Sequence, residues 1–370
     1  MLNMKLCTGC TACKSICPKQ AIDMISDKDG FLYPTINKDK CINCKLCEKV
    51  CPVINVVENK SLLKSYAAYN KDENIRINSS SGGLFTVFAK EVLRQGGVVF
   101  GAVFDESFNV IHSYAEKEDE LFKFRKSKYV QSSIGDTYKK CKEFLNKDKV
   151  VYFTGTPCQI SGLKNYLGKE YPNLITQDFI CHGVPSPKVW NDYKTRFKNI
   201  RDVSFRDKSM GWSNYFVRIN EYKDKHSENV YIKAFLSNYI LRSSCYECIF
   251  KTKNRISDIT LGDLWGANSI VPQMNDDKGL SLIVINSNKG LSLFNKIIDD
   301  IVYKEVQLDL CIKHNPSYIE SSDMPKNRNK LLNEINSQNF DSIVSKYTHQ
   351  KFITRIKKKC KFIIKKLIKK

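Results

Sequence analysis

The stretch CTGCTACKSICP (residues 7–18) returns as CINCKLCEKVCP (residues 41–52), each cysteine 34 residues after its counterpart. Cys7, Cys10, Cys13 and Cys17 are spaced C-x2-C-x2-C-x3-C before Pro18. Cys41, Cys44, Cys47 and Cys51 repeat that spacing before Pro52. Three closely spaced thiolates can wrap three irons of a cubane. The fourth, carried away by the proline turn, reaches a neighbouring cluster. The expected ligand sets are Cys7, Cys10 and Cys13 with Cys51, and Cys41, Cys44 and Cys47 with Cys17. Zinc also accepts four sulfurs, but its sites usually pair two CxxC units across a longer gap. Two [4Fe–4S] clusters are therefore expected.

This stretch resembles a bacterial-type two-cluster ferredoxin, which implies short strands near Ala21–Met24 and Thr35–Asn37. Each Cys-Pro would end a helical turn, since proline cannot continue the hydrogen-bond ladder.

The rest of the composition narrows the class. The chain has 370 residues, 42% of them apolar, enough for two or three domains with real cores. No apolar run reaches the ~18 residues of a membrane-spanning helix. The N-terminus MLNMKLCTGC has no apolar signal core, so a cytoplasmic protein is expected. There are 15 cysteines, an odd number, clustered as ligands rather than as a disulfide frame.

The net charge is +21, of which residues 351–370 carry +10, nine Lys and one Arg without an acid. Their apolar residues follow 3–4 spacing, the pattern of a basic amphipathic helix. Peripheral contact with the inner face of an anionic membrane is expected there. A terminal helix docked on the protein's own core is the alternative. Nucleic acid is disfavoured, because no recognition module accompanies the cations.

Beyond residue 60 strands alternate with helices, predicting an α/β domain over 61–305. Val98–Phe104, Val150–Phe153, Leu174–Ile180 and Leu282–Ile285 read as buried strands. Gly83–Arg94, Gln159–Leu167, Lys188–Lys198 and Leu291–Ile301 read as helices. Asn214–Glu221 alternates like an antiparallel strand, predicting a mixed sheet. Residues 306–370 read as a helical C-terminal region.

Three turns carry candidate chemistry. Ser79, Ser80, Ser81, Gly82 and Gly83 precede a helical run, as in a pyrophosphate cradle or simply a Ser-capped helix. Gly155, Thr156, Pro157 and Cys158 follow a strand. Thr156 fits an N-cap, Pro157 the first helical position, and Cys158 a nucleophile, a metal ligand or a buried thiol. Cys181 and His182 follow another strand, where α/β sheets place ligands, although a lone histidine is more often packed than catalytic. Cys245 and Cys248 form a close pair. With Cys158 and Cys181 they supply four thiols, expected to hold a third [4Fe–4S] cluster. A CxxC redox pair or structural zinc are the alternatives. Cys141, Cys311 and Cys360 read as ordinary thiols.

The phrases SSSGGLFT (79–86), SKYVQS (127–132) and FTGTPCQISGLKNYL (153–167) occur in order. CHGVPSPKVW (181–190), FRDKSMGW (205–212), RSSCYECIF (242–250) and SDITLGDLWG (257–266) follow. Together they resemble the coenzyme F420 hydrogenase/dehydrogenase beta-subunit family, here preceded by a two-cluster ferredoxin domain over 1–60. The resemblance covers roughly residues 1–300. It implies FAD in the α/β domain beside a [4Fe–4S] cluster, and electron passage between clusters and an organic substrate. In archaeal relatives that substrate is coenzyme F420; bacterial proteins of this shape often accompany surface-polysaccharide genes. It implies that Ser81, Gly82 and Gly83 meet the FAD phosphates. Gly155, Thr156 and Cys158 would lie near flavin or cluster, and Lys128 and Tyr129 would touch flavin or substrate.

Clusters trade single electrons and a flavin pairs them. The expected route runs from a redox partner such as ferredoxin, through the clusters and FAD, to substrate, with Lys128, Asp178 or His182 as proton source. For Lys128 and Asp178 the alternative is an ordinary charge or ion pair. Two functions stay open: a ferredoxin- and flavin-dependent oxidoreductase, and a non-catalytic electron-transfer subunit of a larger complex.

Overall fold

The computed structural model describes residues 4–56 and 64–348. The basic segment 351–370 and Cys360 lie outside the described residues.

The N-terminal module pairs β1 (Ile22–Ser26) with β2 (Leu32–Ile36) as an antiparallel hairpin. Two short helices, α1 (Ala12–Ile16) and α2 (Leu46–Lys49), follow the cysteine loops. The duplication persists in the backbone. Gly9 and Asn43 both have positive φ, 69° and 52°, as do Thr11 and Lys45, at 64° and 59°. Each pair is 34 residues apart. A β-branched threonine in the left-handed region is strained, and such strain persists where the surroundings or a function demand it.

The large sheet holds eight strands. In chain order these are β3 (Lys64–Asn70), β4 (Val98–Phe104), β5 (Val110–Ala115), β6 (Val151–Thr154), β7 (Leu174–Phe179), β11 (Ile259–Asp263), β12 (Ser281–Ile285) and β13 (Ile301–Glu305). The spatial order is β13-β3-β12-β11-β7-β6-β4-β5. The four central strands β4, β6, β7 and β11 are parallel and the flanking pairs antiparallel. A mixed sheet is thus present, although Phe216–Ile219, the strand that suggested it, lies elsewhere. It is β9 of a separate three-stranded sheet, between β8 (Val203–Asp207) and β10 (Tyr222–Lys225). The antiparallel members of the large sheet are β3, β5, β12 and β13.

Alternation along the strands decides which face each side chain joins. Val99, Tyr152, Ile283 and Ile285 pack under α4 (Leu84–Arg94), which follows the short α3 (Glu73–Ile77), and helix Asn288–Asn295. Val98, Phe100, Val151 and Phe153 point the other way, toward α5 (Thr137–Leu145) and α6 (Pro157–Leu167). Cys10, Ala12 and Val50 of the N-terminal module share this second core. The module is thereby packed onto the sheet's helical layer.

Two helix ends differ from the sequence expectation. Helix α7 spans Pro187–Lys194 and stops short of Lys198. The helix expected over Leu291–Ile301 ends at Asn295, and Ile301 instead opens β13, where IVYKE forms an edge strand. Helices Leu308–His314, Arg328–Glu334 and 340–348 close the described chain. No helix among the described residues is long and apolar enough to cross a membrane.

Candidate metal centre

Cysteine exposure is graded. Cys10 and Cys13 are buried, Cys7, Cys17, Cys41, Cys47 and Cys51 are half-buried, and Cys44 is exposed. Burial pushes the Cys10 thiol far above its ordinary value. It takes Cys13 to about 12, with further upward pushes from Cys7, Cys51 and Cys47. Cys13 therefore feels Cys51 of the second repeat as well as its own loop. The Cys17 sulfur accepts a hydrogen bond from the Ala21 N–H at 3.3 Å.

A second group of thiols forms where three chain segments meet. Thr156 caps α6 with a complete capping box to Gln159, and Pro157 takes the first helical position. This places Cys158 in the first turn, its sulfur 3.1 Å from Thr156 Oγ1. Cys181 follows β7. Cys245 sits on the single turn Ser243–Glu247 with Cys248 at its end, and the Val184 N–H donates to Cys245 Sγ at 3.4 Å. All four cysteines line one cavity. The cavity volume is about 30 Å3, where one water needs ~10–15 Å3.

Helix α6 points its N-terminus at Cys158, which favours a thiolate. Desolvation outweighs that effect, and Cys158 is pushed up to about 12. Cys245 rises to about 11 and Cys181 rises strongly, burial coming first in both; neighbouring thiols push further up, and the Val184 N–H holds Cys245 back. Arg242, Lys251 and Arg255 also line the cavity, and among the described residues no carboxylate does, although Arg255 is paired with Asp178 behind the wall. The donor set fits a thiolate-ligated iron–sulfur group: four soft ligands that must lose protons, in a lining that is cationic. Among the described residues, no three His, Cys, Asp or Glu stand close enough to hold a single metal ion.

The other candidate residues do not line this cavity, although Lys251 donates to the His182 carbonyl and Arg255 pairs with Asp178. Asp178 is fully buried on β7, bonded to Thr260 Oγ1 at 2.5 Å and 3.5 Å from Arg255 Nη1; burial raises its pKa. His182 is held by Asn238 Oδ1 at 2.7 Å and approached by Ser317 Oγ at 3.4 Å, the packed alternative for a lone histidine. Lys128 donates to the Arg125 carbonyl at 2.9 Å, and burial lowers its pKa to about 7. Tyr129 packs its ring against Phe235 and Phe205. No hydrogen bond joins Lys128, Asp178 and His182 to one another.

The glycine–serine turn is engaged by its own fold. Ser80 Oγ accepts from the Ser127 N–H, Ser81 Oγ donates to the Leu280 carbonyl, and the Gly82 N–H donates to Ser281 Oγ. Helix α4 begins with Gly83 at φ 80°, without a side-chain cap. The turn thus anchors two serine hydroxyls and the Gly82 N–H within the fold, an arrangement compatible with a phosphate cradle and with a plain turn before a helix. The Gly155 N–H likewise bonds the Gln177 carbonyl. Cys141 and Cys311 are buried in apolar cores, as ordinary thiols.

Arg242, Lys251 and Gly162 were not singled out by sequence. Arg242 lies three residues before Cys245 in RSSCYEC, the one local hint.

Three family descriptions match the chain. The 4Fe–4S dicluster domain matches residues 6–55. The coenzyme F420 hydrogenase/dehydrogenase beta subunit matches in its N-terminal part over 65–137 and in its C-terminal part over 148–310. Comparison with curated protein sequences finds no match. Among solved structures, a chain of the F420-reducing [NiFe] hydrogenase complex from Methanosarcina barkeri aligns with a TM-score of 0.51 and 16% identity. The alignment covers 75% of this chain and 94% of that one, a likeness of fold. With the cysteine loops on one side and the α/β layers on the other, the chain carries a coenzyme F420 hydrogenase/dehydrogenase beta-subunit-like domain with an N-terminal 4Fe–4S ferredoxin domain.

Proposed function

We propose that the chain is an electron-transfer subunit in which three iron–sulfur clusters conduct electrons between a protein partner and a further acceptor. The observation that carries this reading is the meeting of Cys158, Cys181, Cys245 and Cys248 in one cationic cavity beside the ferredoxin domain. The interleaved ligand sets of the two outer clusters gain support from the closeness of Cys13 to Cys51. Cys44 and Ile42 are exposed, with Lys38, Lys40 and Lys45 around them, so the Cys41–Cys47 face is where a partner would dock. The structural relative belongs to a hydrogenase complex, which favours assembly with another protein.

In this role the chain's residues position and insulate. The loops hold thiolates, α6 and β7 fix Cys158 and Cys181, and Arg242 and Lys251 supply positive charge at the inner cavity, Arg255 being paired with Asp178. An iron–sulfur cluster, when bound, supplies one-electron chemistry.

A second reading is a flavin-dependent reductase with its own organic substrate, of which F420 or a nucleotide- or lipid-linked sugar are classes to screen. Lys128 favours it, because an amine with a pKa of about 7 can give or take a proton near neutral pH.

Anaerobic purification with iron and flavin counting tests both. About twelve irons per chain, from three four-iron clusters, support the proposal. About eight remove the inner cluster. Stoichiometric FAD, with reoxidation that saturates in an organic acceptor, favours the reductase.

A further inference from the structure

Five arginines are buried among the described residues: Arg76, Arg206, Arg242, Arg255 and Arg328. A guanidinium taken out of water requires a counter-charge, or the desolvation cost stands unopposed. Four of the five have a carboxylate. Arg76 meets Asp276, Arg206 meets Asp263, Arg255 meets Asp178 and Arg328 meets Asp29. Arg242 is fully buried, and among the described residues no carboxylate pairs with it.

Its surroundings are neutral oxygens and sulfur. Nε donates to the Cys7 carbonyl at 2.7 Å, and Nη2 donates to the Leu32 carbonyl at 3.0 Å. Nη1 donates to Gln131 Oε1 at 3.1 Å, and Gln131 is itself anchored by donating to the Thr8 carbonyl at 2.9 Å. Nη2 also stands 3.7 Å from Cys7 Sγ. The Tyr33 ring covers the guanidinium at 4.2 Å. The same side chain lines the cavity of Cys158, Cys181, Cys245 and Cys248. Access depends on Gly9: a β-carbon there would lie 2.9 Å from Nη1. Arg242 therefore stands between two sets of cysteines, fixed by four neutral acceptor or ring contacts, with its charge unmatched.

We propose that Arg242 is the shared cationic partner of two iron–sulfur sites, that of Cys7, Cys10 and Cys13 and that of Cys158, Cys181, Cys245 and Cys248. Its positive charge favours the reduced state of both. The inference rests on the cluster reading above. Four thiolates outweigh the charge of an oxidised four-iron core, and each added electron makes the site more negative. A fixed cation therefore stabilises the reduced form more than the oxidised one, and net charge and hydrogen bonds to sulfur set the potential. Arg242 is a positioning residue in this scheme, since it also ties the Cys7 loop to the wall of the inner cavity.

The test is an anaerobic, paramagnetic-resonance-monitored redox titration of the reconstituted full chain, beside Arg242→Gln, Arg242→Met and Arg242→Lys, with iron counted in each. In the two neutral variants the reduced-to-oxidised ratio of both clusters, at fixed poise, should fall about tenfold, ~59 mV for a one-electron couple, and a shift at one cluster alone would overturn the sharing. Arg242→Lys should recover most of that shift. Normal iron and unshifted midpoints in both neutral variants would overturn the proposal. If the neutral variants assemble no clusters, assembly in Arg242→Lys supports a charge role, and failure in all three alike overturns it in favour of packing. Wild-type protein without iron would instead remove the cluster reading itself, a result visible before any variant is made.

Discussion

Gly162 of α6 and Cys10 of the first cysteine loop are in such close apposition that a β-carbon on the glycine would stand 2.9 Å from the cysteine sulfur. Gly162 lies four residues after Cys158, one turn along the same helical face. One face of α6 thus presents a thiol to the inner cavity and a seat for the outer domain. Close approach between the two cysteine sets depends on there being no side chain at that seat.

Gly162→Ala should lower thermal stability by about 1–3 kcal/mol through overpacking, despite alanine's better helix propensity. The inner cavity should still bind iron while the Cys7–Cys13 site loads poorly. Calorimetry with iron counting checks this; unchanged stability and loading would remove the argument from close approach.

Replacing Cys158 or Cys248 by serine should remove about four irons per chain and one paramagnetic signal. Cys141→Ser, in an apolar core, should leave the iron count unchanged. Equal iron loss in all three would mean general instability rather than ligation.

Lys128 gives a pH signature. Its folded pKa of about 7 lies below the ordinary lysine value of 10.5, so between those values the unfolded chain binds more protons. Stability from this residue therefore rises with pH across about 7 to 10.5 and is constant below and above. Wild type minus Lys128→Met, followed by melting temperature, should become more favourable to wild type over that window. A flat difference would place the ammonium in water.

The Asp29–Arg328 pair joins the ferredoxin hairpin to the C-terminal helices, 3.6 Å apart with both side chains largely enclosed. Asp29→Ala leaves a buried cation unmatched, and should cost roughly 3–5 kcal/mol. Limited proteolysis should then release the N-terminal module sooner than in wild type.

Reversing charge at Lys38, Lys40 and Lys45 to glutamate should slow reduction by an acidic electron-carrier protein and weaken the salt dependence of the rate. Reduction by dithionite should proceed as before. Equal slowing with both donors would place entry elsewhere.

The sequence was most legible where chemistry imposes spacing. The doubled cysteine pattern marked the ferredoxin domain, and capping residues Thr156 and Pro157 marked the start of α6. The strand Ile259–Asp263 was missed because Gly262 and Asp263 interrupt its apolar run. The Lys64–Asn70 strand was missed as well, its tyrosines and alanines lacking strict alternation. Arg242 was invisible because an unmatched buried charge is a property of three converging segments. In the turn Ser80–Gly83, Ser81 Oγ and the Gly82 N–H donate to the Leu280 carbonyl and Ser281 Oγ, while Ser80 Oγ accepts from the Ser127 N–H, partners brought there by the fold rather than by the motif.

The graded exposure of the two cysteine repeats fixes an order of decay. Dioxygen meets Cys44 first, while Cys10 and Cys13 sit behind α6. With the proposed clusters bound, corrosion in air would begin at the Cys41–Cys47 site and work inward, so ageing protein would lose contact with a donor before it lost its interior colour.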